Sequence, residues 1–258
     1  MAPTILVTND DGFFADGIAV LARELAVLGD VVVVAPDRNQ SAVSHKISLY
    51  QPVRAQEIKP RLWSVDGTPT DCTYLGVVEL LPQKPSLVVS GINAGPNLSQ
   101  DVHYSGTVSG AVEATMLGVP AIAVSALVPN EETYAAAAAF TRELARHVLR
   151  HGLPAGVTLN VNVPKGSPKA YAWTSLGVRP YEHAVERRTD PRGRVYFWIG
   201  GEPTAHHDVP GSDCNAVASG LISVTPIQTD VTARAFLDAS LGAAQPQEFP
   251  GFEARQAE

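Results

Sequence analysis

Short apolar runs alternate along the first half of the chain with segments in which apolar residues recur every three or four positions. Residues 4–8, 31–35, 62–65, 87–90 and 121–125 are the short runs. They are brief and rich in β-branched side chains, which predicts strands. Ile18, Leu21, Ala22, Leu25 and Leu28 share one helical face, with Gly29 as the stop. Asp71 is placed to cap a helix running to about Leu81 before Pro82, and a third helix runs from about Thr107 to Leu117 and ends at Gly118. Residues 131–150 read as a long Ala-rich helix. Strands that are apolar throughout, with helices between them, imply a parallel sheet covered on both faces. Residues 1–130 are therefore expected to form a doubly wound α/β part.

Residues 131–258 have a different texture. Strands are expected at 157–163, 170–175, 195–199 and 221–225, with longer connections between them, and a last helix at 231–240. Asp190-Pro191-Arg192-Gly193 is a tight-turn sequence inside a charged segment, so residues 181–199 read as a projecting hairpin. Its mixture of charges and aromatics predicts that something packs on it, hence an oligomer. Residues 243–258 are polar with two prolines and are expected to be poorly ordered. The two parts are read as one continuous catalytic domain.

At 258 residues with 45% hydrophobic and 17% charged content, the chain suits a globular protein with a sizeable core. The net charge of −7 and the lack of a dense basic run argue against a nucleic-acid polymer or a membrane surface as partner. A small phosphorylated substrate stays open. Cys72 and Cys214 are the only cysteines and read as two buried thiols. The N-terminal residues have neither a basic segment nor a long apolar run, so a cytoplasmic location is expected.

In open parallel sheets ligands bind beyond the carboxyl ends of the strands, so the residues just past each strand carry the most information. After the first come Asn9, Asp10 and Asp11; after the second, Asp37 to Ser41; after the run at 87–90, Asn93 and Asn97, then Tyr104-Ser105-Gly106-Thr107. Adjacent carboxylates repel unless a cation lies beside them, and magnesium or manganese takes oxygen ligands of these kinds. Ser105-Gly106-Thr107 precedes a helix, whose free amides and dipole favour phosphate. His45 and His103 lie in these loops, in reach of a proton-transfer role. There is no Walker loop, and no G-x-G-x-x-G comes after the first strand.

These residues fall in a pattern. The segments Ile5-Leu6-Val7-Thr8-Asn9-Asp10-Asp11-Gly12, Ala35-Pro36-Asp37-Arg38-Asn39-Gln40-Ser41 and Gly67-Thr68-Pro69-Thr70-Asp71-Cys72 resemble the SurE family in order. So do Ser90-Gly91-Ile92-Asn93-Ala94-Gly95-Pro96-Asn97, Tyr104-Ser105-Gly106-Thr107-Val108, the hairpin, and Ser223-Val224-Thr225-Pro226. Ala42-Val43-Ser44, Cys214-Asn215 and Leu221 depart from it. The resemblance implies a Rossmann-like catalytic part and a C-terminal part that builds homodimers or homotetramers through exchanged or interlocking segments. It implies a 5′-nucleotidase, a metal-dependent phosphomonoesterase of nucleoside 5′- and 3′-monophosphates, with short polyphosphate a further substrate. It implies one divalent ion per subunit, magnesium or manganese, on Asp10, Asp11, Ser41 and Asn93. Asp10 and Asp11 would also be catalytic, and Asn97, Ser105, Gly106 and Thr107 would bind phosphate.

A reading from another class is a receiver-like signalling module, in which an acidic pair holds magnesium beside a phosphorylated aspartate; Asp66 is the conceivable acceptor. The lysine that such modules use after a later strand has Ser125-Ala126 in its place.

Overall fold

The computed structural model describes residues 2–181, 184–200 and 205–242. In chain order the elements are β1 (Thr4–Thr8), α1 (Asp16–Leu25), β2 (Asp30–Pro36), β3 (Ala55–Lys59), β4 (Leu62–Val65) and α2 (Pro69–Leu75). Next come β5 (Leu87–Ala94), α3 (Gly106–Met116), β6 (Ala121–Ala126), α4 (Glu131–His151), β7 (Val157–Val163) and β8 (Tyr171–Trp173). The last are β9 (Ala184–Thr189), β10 (Val195–Gly200), α5 (Asp213–Ala218), β11 (Ile222–Gln228) and α6 (Arg234–Gly242).

The apolar strands are buried on both faces, as their lack of alternation demands. Ile5 and Val7 of β1 point into a layer with Leu21, Leu25, Ala137 and Val148 from α1 and α4. Leu6, between them, points to the opposite layer with Cys72, Val108 and Ala111 from α2 and α3. Helices thus cover both sides of one mostly parallel nine-stranded sheet, ordered β3-β4-β2-β1-β5-β6-β7-β11-β8. The chain passes from β1 to β2 on one side and later to β5 on the other. β1 and β5 therefore flank the switch point where such sheets bind ligands.

The sheet does not stop at residue 130: β7 pairs parallel with β6, and β11 returns antiparallel to β7. Two elements escape local patterning. β3 is a mostly exposed strand antiparallel to β4, and its polar sequence reads as a loop. α5 has only six residues. The α2 cap is Thr68 rather than Asp71; Asp71 completes a capping box by accepting from the Thr68 N–H at 2.9 Å. β5 runs on to Ala94, four residues beyond the strand expected at 87–90, with a register shift between Ser90 and Asn93.

β9 and β10 form a separate antiparallel pair. Residues 243–258, expected to be poorly ordered, lie outside the described residues, as do 182 and 183 of the hairpin. Among the described residues no helix is long and apolar enough to cross a membrane.

Candidate active site

β1 ends in Asn9-Asp10-Asp11-Gly12, and the turn is held from within: Asn9 Nδ2 donates to the Gly12 carbonyl at 2.9 Å. Gly12 has φ +100°, and a side chain there would meet the Arg38 backbone at 3.2 Å, so glycine is required where this turn crosses the end of β2. The Gln40 N–H donates to the Asp10 carbonyl at 2.7 Å, which brings the loop after β2 alongside.

Asp10 is only 4% exposed. Its carboxylate accepts from the Thr107 hydroxyl. Gly106 lets α3 come this close, since a Cβ there would lie 2.9 Å from the Asp10 Cβ. Asp11 Oδ2 accepts from the Ala94 N–H at 2.9 Å and ties β1 to the end of β5. Burial raises both carboxyls. Asp10 is pushed from 3.8 to about 6 by desolvation, opposed by the Thr107 hydroxyl and reinforced by the charge of Asp11. Asp11 is raised by desolvation and partly relieved by Ala94.

A cavity of about 600 Å³ opens beside this pair, and Asp10, Asp11, Ser41, Asn93, Asn97 and Ser105 all line it. The outer wall includes Gln100, Asp101, Tyr104 and Tyr181. Asn93 spends Nδ2 on the Gly95 carbonyl at 2.8 Å, so its amide oxygen is the atom left to accept or coordinate. The Ser41 N–H is held by Asn39 Oδ1 at 2.8 Å. Ser105 is the N-cap of α3, where Oγ accepts from the Val108 N–H at 3.1 Å and the hydroxyl proton remains to donate. Thr107 is fully buried and its hydroxyl is directed to Asp10, so its side chain orients a carboxylate.

His45 and His103 do not line this cavity. They border a second one behind the 41–45 loop, where His45 Nε2 lies 2.7 Å from Glu113 Oε2. The proton-transfer role expected of them is not borne out. Ser44 fastens the same loop, with its N–H on the Tyr104 carbonyl at 3.0 Å and its hydroxyl on that of His103 at 2.6 Å. Asp66, the acceptor of the receiver-like reading, is engaged at 2.6 Å by the Arg54 N–H and is absent from the cavity wall, which removes that reading. Cys72 and Cys214 are buried free thiols.

Sequence reasoning missed the groups behind Asn97. Asn160 and Asn162 on β7 and Ser125 on β6 are fully buried and bond to it. The available signal was the polar alternation Thr158, Asn160, Asn162 in an otherwise apolar strand.

Among the described residues no three His, Cys, Asp or Glu side chains gather to hold a metal. The expected set instead joins two carboxylates to a hydroxyl and an amide, all oxygen donors. That chemistry fits a hard divalent cation, which would offset the burial that raises both carboxyls and the charge of Asp11 that adds to it at Asp10.

An acidic pair and a helix N-terminus sharing one cavity at the switch point of a doubly wound sheet define a class of α/β proteins built to take an anionic ligand. The family model described as "Survival protein SurE" matches residues 5–183. The chain belongs to the SurE family. It is 51% identical over 232 residues to "5'-nucleotidase SurE" of Geotalea uraniireducens, covering 88% of this chain and 94% of that one. It is 49% identical over 231 residues to "5'-nucleotidase SurE" of Myxococcus xanthus, covering 88% of each. The crystal structure of the SurE protein from Aquifex aeolicus superposes with a TM-score of 0.81 at 42% identity, covering 92% of this chain and 98% of that one.

Proposed function

We propose that this protein is a 5′-nucleotidase that hydrolyses nucleoside monophosphates to nucleoside and phosphate, accepting 3′-esters and short polyphosphate as well. One observation carries the reading: paired carboxylates and an anion-favouring helix N-terminus share a single cavity of about 600 Å³. The relatives named as 5′-nucleotidases support it.

Asp10, Asp11, Ser41 and Asn93 would hold one divalent ion, magnesium or manganese. Such an ion supplies charge neutralisation at the phosphoryl oxygens and a bound water of lowered pKa. The Ser105 hydroxyl, the Asn97 side chain and the backbone at Gly106 and Thr107 hold the phosphoryl oxygens, because donors at a helix start face developing negative charge without reorganising. Thr107 keeps Asp10 aimed at the cavity. Asp10 or Asp11, beside the phosphoryl group, orients the attacking water. The chemistry belongs to residues 1–130, and the protein acts in the cytoplasm.

Assembly belongs to residues 131–258, through a homodimer or homotetramer that uses the hairpin at about 181–199 and an exchanged or interlocking terminal segment. Phe197 and Trp198 on β10 are 58% and 61% exposed in the single chain, and an isolated two-stranded hairpin is marginal without a surface to cover it.

The test is phosphate release from nucleoside monophosphates, sugar phosphates and polyphosphate with magnesium, manganese or chelator. Nucleotide turnover that disappears in chelator is expected. Turnover that persists in chelator refutes the metal site, and preference for sugar phosphates refutes the substrate.

A further inference from the structure

β7 is an interior strand whose valines and leucine join the apolar layers, yet Asn160 and Asn162 on it are fully buried. An amide buried in such a strand is unfavourable unless its donors and acceptor are satisfied. Both side chains turn to one residue outside the strand. The Asn97 N–H donates to Asn162 Oδ1 at 2.8 Å. The Asn97 carbonyl accepts from Asn162 Nδ2 at 3.0 Å and from Asn160 Nδ2 at 2.8 Å.

One side-chain amide thus grips both polar groups of Asn97, and a second reinforces the carbonyl. The neighbouring strand adds Ser125, directly paired with Asn162 in register, whose Oγ accepts from Asn97 Nδ2 at 2.8 Å. Among the described residues Asn160 Oδ1 has no hydrogen-bond partner, so Asn160 is poorly satisfied as a core residue and well placed only toward Asn97.

We infer that Asn160 and Asn162 are positioning residues for phosphate recognition: two side chains from β7 fix the backbone of Asn97, and Ser125 fixes its rotamer, so that its amide meets the phosphoryl group preorganised. This rests on Asn97 contacting phosphate, as proposed above. Neither asparagine lines the cavity, so any effect on phosphate must pass through Asn97. The divalent-ion set shares no residue with this network and should be insensitive to it.

The experiment is a double-mutant cycle with orthophosphate as probe, its dissociation constant measured calorimetrically at saturating manganese. Manganese affinity is measured separately in the absence of phosphate. Asn162→Ala is expected to weaken orthophosphate about 10- to 50-fold, and Asn160→Ala about 3- to 10-fold, as lost preorganisation of a charge-assisted contact. Manganese affinity should stay within about twofold for both. In an Asn97→Ala background, adding Asn162→Ala should change orthophosphate binding by less than about threefold, because the group being positioned is gone.

Additive losses, or manganese affinity falling in step with phosphate affinity, overturn the positioning role. If Asn162→Ala does not fold, Asn160→Ala carries the same cycle. If Asn97→Ala alone leaves orthophosphate binding intact, it is the phosphate assignment of Asn97 that fails.

Discussion

Replacing Asp10 by Asn should stabilise the metal-free protein while abolishing its response to metal. Asp10 sits 4% exposed, with its carboxyl raised from 3.8 to about 6. At about 1.36 kcal/mol per pH unit, keeping it ionised in the folded state at pH 7 costs about 3 kcal/mol. The sign comes from proton counts. Between pH 4 and 6 the folded chain retains a proton that the unfolded chain has released, so stability falls as pH rises through that window. Asn carries no such cost, and the weaker bond from the Thr107 hydroxyl to a neutral oxygen is already contained in that net shift. The gain of about 3 kcal/mol corresponds to a Tm about 6–12 °C higher for Asp10→Asn at pH 7 in chelator.

The gap should close at pH 4. With manganese at about 1,000 times its Kd, the wild type should gain about 4.1 kcal/mol and the variant almost nothing, which reverses their order. Scanning calorimetry at pH 4 and 7, with manganese and with chelator, reads all of this. A variant that melts below wild type in chelator at pH 7, or that gains as much from manganese, would refute both the electrostatic reading and the cation site.

Thr107→Ala should lower kcat/KM about 10- to 100-fold by freeing Asp10, with Thr107→Ser restoring most of it; equal loss in both variants would deny the hydroxyl its role. Phe197→Ser combined with Trp198→Ser should shift the protein to a 27.3 kDa species by light scattering, and an unchanged mass would remove the hairpin from the interface. Burial pushes the Cys72 thiol well up and that of Cys214 to about 12, so neither should react with a disulfide reagent at pH 8 until the protein unfolds. Rapid labelling of the native protein would contradict the packing around α2 and α5.

The residues on the cavity floor were legible because strand tips are local features. A run such as Thr4–Thr8, whose consecutive residues Ile5, Leu6 and Val7 are all apolar, must be buried on both faces, and Asn9-Asp10-Asp11 after it must then emerge at the sheet edge. The α3 cap at Ser105 could be read in the same way. β3 could not, because a polar edge strand exists only through its pairing with β4 and has no burial pattern of its own.

Sequence alone determined the parallel, doubly wound plan and the oxygen-rich chemistry at its edge, since both depend on spacing and residue type over a few neighbouring positions. Tertiary structure decided which donors are spent and which are free. The Thr107 hydroxyl goes to Asp10, His45 turns away to Glu113, and Asn160 and Asn162 reach Asn97 across more than sixty residues of chain. A hydrogen bond between groups so far apart in sequence depends on the register of β6 with β7 and the path of the loop after β5, and no local pattern encodes either.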